Sequence, residues 1–387
     1  MPAVRTEEGL VWLEAGASDA VPLRFIEEHG RYFVLATTAR TKWVGVSLRT
    51  GGCFVTRSGS LRQRCAVDPV IDPFDRARIH AGFRIRYGAA AWLPPLSPSL
   101  RILRLDPGAS VIERSQADRA RLEFDAAAPD YADRVAARRV ERYLKATTLA
   151  RLRTTFSGVD PLLEIGPGVG LETIPLLADG HRITAVDLSG RMLEELRKRA
   201  DRIVPGNRLD CRVGRLGDLD TALAGLPAGS FAGAFSTFGA FNLEEDLTTL
   251  RRGLANALGT EARLAFTTLN RPAPLPMLWD AVDGHLREVP RRMLLRTATE
   301  NTTYPLDLFR RRPAEWDVAL RPEFLRRSSE AVSVLAPPFE PVRAWAALGE
   351  TGHRAIARAD GWLRRRRVLA ELGEWALLTY ERLPPAG

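Results

Sequence analysis

Apolar and polar residues alternate through most of the first hundred positions. GLVWLEAG (9–16), VPLRFIEE (21–28), RYFVLAT (31–37), KWVGVSL (42–48), CFVTRS (53–58), LRQRCAVDPVI (61–71) and SLRILRLD (99–106) read as strands. Turn signals such as Glu28-His29-Gly30 and Thr50-Gly51-Gly52 separate them. One stretch departs from the period of two. Between Asp72-Pro73 and Gly88, the residues Ile79, Phe83 and Tyr87 recur every four positions, which predicts an amphipathic helix. Several strands with one helix predict a small β-barrel domain over 1–108.

The pattern then changes. Residues 109–160 are rich in Ala and Arg at helical spacing. Strands and helices alternate beyond them: PLLEIG (161–166), a helix over 170–180, HRITAVDLS (181–189), a helix over 190–203, then RLDCRVGRL, FAGAFSTFG and ARLAFTTLN as later strands. Such alternation predicts a parallel sheet with helices on both faces, in a second domain spanning 109–387. Residues 271–340 interrupt the pattern with prolines, basic runs and two tryptophans. PVRAWAALG (341–349) and WALLTYERL (375–383), separated by a basic helix, read as a closing strand pair.

Composition narrows the partners. The net charge of +9 admits nucleic acid. Yet 53 of the 56 basic residues are arginine, and the three lysines are Lys42, Lys145 and Lys198. That bias resembles GC-rich coding more than a selected DNA surface. The run Arg364–Arg367 reads as a solvated helix face, and neither zinc-finger spacing nor an aromatic RNA-binding signature is present. No nucleic acid and no membrane are expected as partners, since no apolar run is long enough to span a bilayer. Cys53, Cys65 and Cys211 lack metal-ligand spacing and suit a reducing cytoplasm.

The segment LLEIGPGVGLE carries the most chemistry. A short apolar strand leads into Gly166, Gly168 and Gly170, where a backbone without Cβ atoms admits close ligand approach. A second strand, ITAVDL, ends in Asp187, an acid able to accept both hydroxyl hydrogen bonds of a ribose. Dinucleotide folds use similar parts, normally as G-x-G-x-x-G. Here the third glycine comes one residue early, and Leu171 stands at the usual place. Glu164, just before the loop, would crowd a pyrophosphate but suits a cationic ammonium.

These residues resemble the class I S-adenosylmethionine-dependent methyltransferases, whose fold is a Rossmann-like seven-stranded sheet. Upstream, FDAAAPDYADRV is similar to the family's leading helix, through Phe124, Asp125, Ala128 and Tyr131, with a shifted acid at Asp133. Downstream, Asp187, Leu188, Ser189 and Met192 match its second strand and helix, and FAGAFSTFGAFN its fourth strand. The resemblance covers about 115–387, more weakly over 271–340. It implies S-adenosyl-L-methionine as cofactor and a small organic molecule as methyl acceptor. The three glycines would bend around the methionine part, with Glu164 beneath them and Tyr131 on the leading helix. Asp187 would hold the ribose, and Leu188 and Met192 would flank the adenine, although Met192 fits an ordinary core position equally well. Asp218 would read the adenine amino group, and Ser236 closes the fourth strand. Two positions depart from the pattern: Gly233 replaces the usual aspartate, and the turn before the fifth strand shrinks to ALGTEA.

No residue is marked as catalytic, because methyl transfer needs a general base only if the nucleophile must lose a proton. The candidates for such a base are His285 and Tyr304, which with Glu288 fall in the 271–340 insert, where this family builds its acceptor cap. Trp279, Phe309 and Trp316 either wall that pocket or form the insert's own core. The N-terminal segment resembles the split β-barrel of pyridoxamine-phosphate-oxidase-like and deazaflavin-dependent reductase proteins. That likeness implies either a flavin or deazaflavin phosphate site at Thr37, Thr38, Arg40 and Lys42, or a non-binding barrel used for dimerisation or substrate gating, and since such barrels usually pair, a homodimer is expected. The rival readings of the whole chain are a flavin-dependent oxidoreductase and a non-enzymatic cofactor-binding protein.

Overall fold

The computed structural model describes residues 10–16, 20–37, 42–57, 62–88, 95–96, 100–204, 206, 208–271, 279, 282, 297–300, 304–336, 347–364, 366, 369 and 372–384. The chain divides into two compact units, 1–126 with 300–306, and 127–299 with 307–387.

The first unit is a closed antiparallel barrel. Its strands are β1 (Leu10–Glu14), β2 (Val21–Glu28), β3 (Arg31–Thr37), β4 (Gly52–Arg57), β5 (Gln63–Pro69) and β6 (Leu100–Pro107), in the order β1-β2-β3-β6-β5-β4. β1 pairs with both β2 and β4, which closes the ring and leaves no edge. Alternate side chains such as Val11, Leu13, Phe25, Val34 and Leu105 fill the interior.

KWVGVSL is not the expected strand but a helix, α1 (Lys42–Thr50). Its buried residues are the pairs Trp43/Val44 and Ser47/Leu48, four apart. Alternation would instead have buried Gly45 and exposed Val44, so the spacing obeys the helical period. The predicted helix is α2 (Pro73–Tyr87), capped by Asp72, whose Oδ1 accepts the Asp75 N–H at 2.9 Å. Ile79 and Phe83 pack on Ile26, Phe33 and Ile102 of the barrel. The opposite face leaves Phe74 and Ile85 exposed at 89% and 86%. Helix α3 (Gln116–Ala127) follows the barrel.

The second unit opens with α4 (Tyr131–Ala137) and α5 (Arg139–Thr155). Its strands are β7 (Leu162–Ile165), β8 (Ile183–Asp187), β9 (Leu209–Val213), β10 (Phe231–Ser236) and β11 (Leu258–Leu269). The short β12 (Thr297–Glu300) and β13 (Leu306–Phe309) pair in a small sheet of their own. β14 (Phe324–Ser333) and β15 (Trp375–Arg382) complete a seven-stranded sheet in the order β14-β15-β11-β10-β7-β8-β9. β9, β8, β7, β10 and β11 run parallel, and β15 is antiparallel to both of its neighbours. This is the Rossmann-like sheet expected of the class I methyltransferases.

Between the strands lie α6 (Thr173–Ala178), α7 (Gly190–Ile203), α8 (Leu219–Ala222), α9 (Leu247–Ala257), α10 (Pro313–Leu320) and α11 (Gly349–Leu363). Every residue of β7 is buried, as a strand covered on both faces requires. One core layer joins Leu163, Phe241, Phe266 and Trp316, and the other joins Phe156, Leu162, Leu196 and Phe235. Trp316 is therefore core, with its Nε1–H donating to Thr268 Oγ1 at 2.9 Å.

The closing strand pair differs from the expected one. β15 is confirmed, but its partner is FLRRSSEAVS of β14, and α11 begins at Gly349. Residues 341–346 lie outside the described residues. β14 lacks clean alternation because its first part is paired off by charge: Arg326 meets Asp317, and Arg327 meets Glu381. The departure at Gly233 has a packing cause. A Cβ there would lie 2.7 Å from Phe156 Cε1 and 3.0 Å from Leu162 Cδ2, so an aspartate does not fit behind this Phe156. Among the described residues, no helix is long and apolar enough to cross a membrane.

Candidate cofactor site

The order in which the chain adds strands reverses at β7, with β8 and β9 laid on one side and β10 and β11 on the other. Open α/β sheets bind ligands at the carboxyl ends of such strands. The glycine loop occupies this point. Gly166, Gly168 and Gly170 all have positive φ, at 71°, 55° and 81°. They meet different surroundings. A Cβ on Gly166 would lie 2.6 Å from Ala240 Cβ, and one on Gly170 would lie 2.2 Å from Leu196 Cδ1. A Cβ on Gly168 would meet nothing within 4 Å. Gly166 and Gly170 thus let the loop pack down, and Gly168 is the glycine whose missing side chain leaves open space.

Asp187 fixes the loop from the end of β8. It is 7% exposed, and its Oδ2 accepts the Gly168 N–H at 3.0 Å. Oδ1 accepts the Ser189 N–H at 2.8 Å. Ser189 Oγ in turn accepts the Met192 N–H at 3.1 Å and caps α7. Two backbone donors thereby hold the carboxylate in one orientation beside the loop. Met192 is 1% exposed, within the core, and Leu188 is half-buried.

Glu164 lies under the loop, 1% exposed, and among the described residues its Oε2 has no hydrogen-bond partner. Burial pushes its carboxyl up to about 8, and the nearby Glu172 and Asp187 carboxylates add to the rise. The Thr173 hydroxyl and the Lys145 ammonium act in the opposite direction. Lys145 Nζ reaches from α5 to Glu172, donating to Oε1 at 3.0 Å and Oε2 at 3.3 Å. Tyr131, half-buried at the start of α4, is close enough to influence that ammonium. Arg199 Nη1 donates to the Val169 carbonyl at 3.0 Å. Ser236 is buried at the end of β10, with no partner for its hydroxyl among the described residues.

The fold gathers Tyr131, Glu164, the three glycines, Asp187, Leu188, Met192 and Ser236 within the second unit. Asp218 is exposed at the end of a 3-10 turn, Leu216–Asp218. Tyr304 falls in the first unit, buried, with its N–H donating to Glu123 Oε2 at 2.9 Å. His285, Glu288, Thr38 and Arg40 lie outside the described residues, as do the side chains of Thr37 and Lys42. No local motif marks Lys145 and Glu172 in the sequence. A lysine in a chain with three of them was the available signal.

Residues 162–260 match the family model described as a methyltransferase domain. Among solved structures, the chain is similar to the CcbJ methyltransferase from Streptomyces caelestis, at 16% identity over 62% of this chain and 90% of that one, TM-score 0.41. It is also similar to an S-adenosylmethionine-dependent methyltransferase from Mesorhizobium loti, at 18% identity over 60% and 96%, TM-score 0.38. A third is the geranyl diphosphate C-methyltransferase from Streptomyces coelicolor A3(2), at 14% identity over 62% and 76%, TM-score 0.40. Those likenesses are distant and do not bear on substrate. The family match spans β7 to the start of β11 and includes the glycine loop and Asp187, so it is this part of the second unit that is similar to a methyltransferase domain.

Proposed function

We propose that the second unit binds S-adenosyl-L-methionine and transfers its methyl group to a small organic molecule. The observation that carries this reading is the Gly168–Asp187 hydrogen bond at the switch point, which joins an open loop to a fixed acid. The residues present fit the cofactor. The partnerless Oε2 of Glu164 suits the ammonium of a methionine, and the space at Gly168 admits its chain. Asp187 is oriented to receive the ribose hydroxyls, and half-buried Leu188 to flank the adenine. When bound, the cofactor supplies a sulfonium methyl group for in-line displacement. The protein's part is to align the acceptor and exclude water. Asp218 and Tyr304 gain no role from the geometry, and His285 lies outside the described residues.

Gly168→Val tests the reading. The valine would project into the space assigned to the methionine chain, at a φ that β-branched residues avoid. Calorimetry is expected to show S-adenosylhomocysteine binding lost in a variant that still melts cooperatively. Unchanged affinity in the folded variant would remove the loop from the site.

We also infer that the chain forms a homodimer through its first unit. The support is the exposed face of α2, where Phe74, Ala77, Ala81 and Ile85 form a stripe with bulky ends and a small middle. Two copies laid antiparallel would set each Phe74 against the other's Ile85. Light scattering should show a dimer that becomes a monomer when both are replaced by serine. A dimer that survives the double replacement would place the interface elsewhere.

A further inference from the structure

Beside the glycine loop lies a group of half-buried aromatic rings that the cofactor reading does not use. Phe238 follows β10 and holds a left-handed backbone, φ 52°, while its N–H donates to Thr267 Oγ1 at 2.6 Å. Non-glycine residues adopt that conformation at some cost, and such positions cluster at functional sites. Its ring meets Trp375 edge to face, with centroids 5.4 Å apart. Tyr143 and Trp279 belong to the same cluster, each partly buried and each anchored by its polar end. Tyr143 donates to Asp360 Oδ2 at 2.9 Å, and Trp279 Nε1–H donates to the Leu335 carbonyl at 2.7 Å. The aromatic surfaces are thus held in place without being fully covered.

Lys145 touches one of these rings and also pairs with Glu172, two residues beyond Gly170. Its Nζ lies 4.2 Å from the centroid of Phe238. Among the described residues, its hydrogen bonds go to the two oxygens of Glu172 alone, whereas an ammonium has three N–H donors. Burial works against the charge, but Glu172, Tyr131 and Glu141 together more than offset it, so the ammonium persists. A fixed cation at the rim of an aromatic wall suits an oxyanion attached to a flat apolar body.

We propose that Phe238, Trp375 and Lys145 form the methyl-acceptor site, and that it takes a flat aromatic or apolar acceptor bearing a carboxylate or phenolate oxygen, which Lys145 receives. This rests on the methyltransferase reading. Lys145 acts as a specificity residue: it selects charged acceptors over neutral ones of the same shape.

The test titrates the full chain, saturated with S-adenosylhomocysteine, with 2-naphthoate and with its neutral analogue 2-naphthamide. Lys145→Met should weaken naphthoate at least tenfold and change naphthamide less than twofold, and Lys145→Arg should restore naphthoate. If Lys145→Met does not fold, Lys145→Gln takes its place. Three results would overturn the proposal. One is no saturable naphthoate binding to the wild type. Another is equal naphthoate binding by the variant. The third is a variant that loses S-adenosylhomocysteine but retains 5′-methylthioadenosine, which would assign Lys145 to the cofactor's own carboxylate. Wild-type protein that does not bind S-adenosylhomocysteine at all would instead remove the underlying methyltransferase reading.

Discussion

Asp187→Asn is expected to lower S-adenosylhomocysteine affinity at least a hundredfold. The carboxylate accepts the Gly168 N–H on one oxygen and the Ser189 N–H on the other. An amide has a single acceptor oxygen, so one of those N–H groups would face an NH2 and lose its partner. Hydrogen bonds to a charged group contribute about 1.5–3 kcal/mol each. The substitution weakens the hold on the loop and also the hydrogen bonds to the ribose, and each tenfold in affinity is about 1.4 kcal/mol. Two such losses exceed a hundredfold. Calorimetry on the variant, alongside its melting curve, checks the value. A loss below threefold would mean that the ribose lies elsewhere.

Glu164→Gln is expected to act in opposite directions on stability and binding. In the folded protein the Glu164 carboxyl is pushed up to about 8, far above an ordinary carboxylate, and burial is the main cause. The sign follows from linkage. The folded state holds this proton more tightly than the unfolded chain does, so stability falls as pH rises from the ordinary carboxylate range through about 8. Glutamine has no proton to lose. At pH 8 the second unit of the variant should melt several degrees higher, a shift on the order of a few kcal/mol. Binding should move the other way. The methionine ammonium favours ionised Glu164, so wild-type affinity should climb by up to about tenfold per unit between pH 6 and 8 and then level off. The variant should bind weakly at every pH, with that slope gone. Equal slopes in both proteins would detach Glu164 from the cofactor.

Legibility of the chain tracked how far each feature depends on neighbours in sequence. The glycine loop, Asp187 and the β7–β8 pair were readable because a strand, a turn and a helix N-terminus all fall within a short stretch. β14 was not readable. Its polar half is stabilised by Asp317 and Glu381, residues that no local periodicity connects to it. KWVGVSL misled because Val44, Val46 and Trp43 favour strands, whereas its buried pairs obey the helical period. Gly233 looked like a lost acid until Phe156, distant in sequence, filled the space. Lys145 escaped notice for the same reason: Glu172 and Phe238, which give it meaning, lie on other elements.

The most direct test of the central claim is a calorimetric titration of the wild-type chain with S-adenosylhomocysteine and, separately, with a nicotinamide dinucleotide. A partnerless carboxylate beneath the loop and a short glycine spacing favour the first ligand and exclude the second. One saturable site per chain for S-adenosylhomocysteine, with no heat from the dinucleotide, is the predicted result. Saturable dinucleotide binding with none for S-adenosylhomocysteine would contradict it.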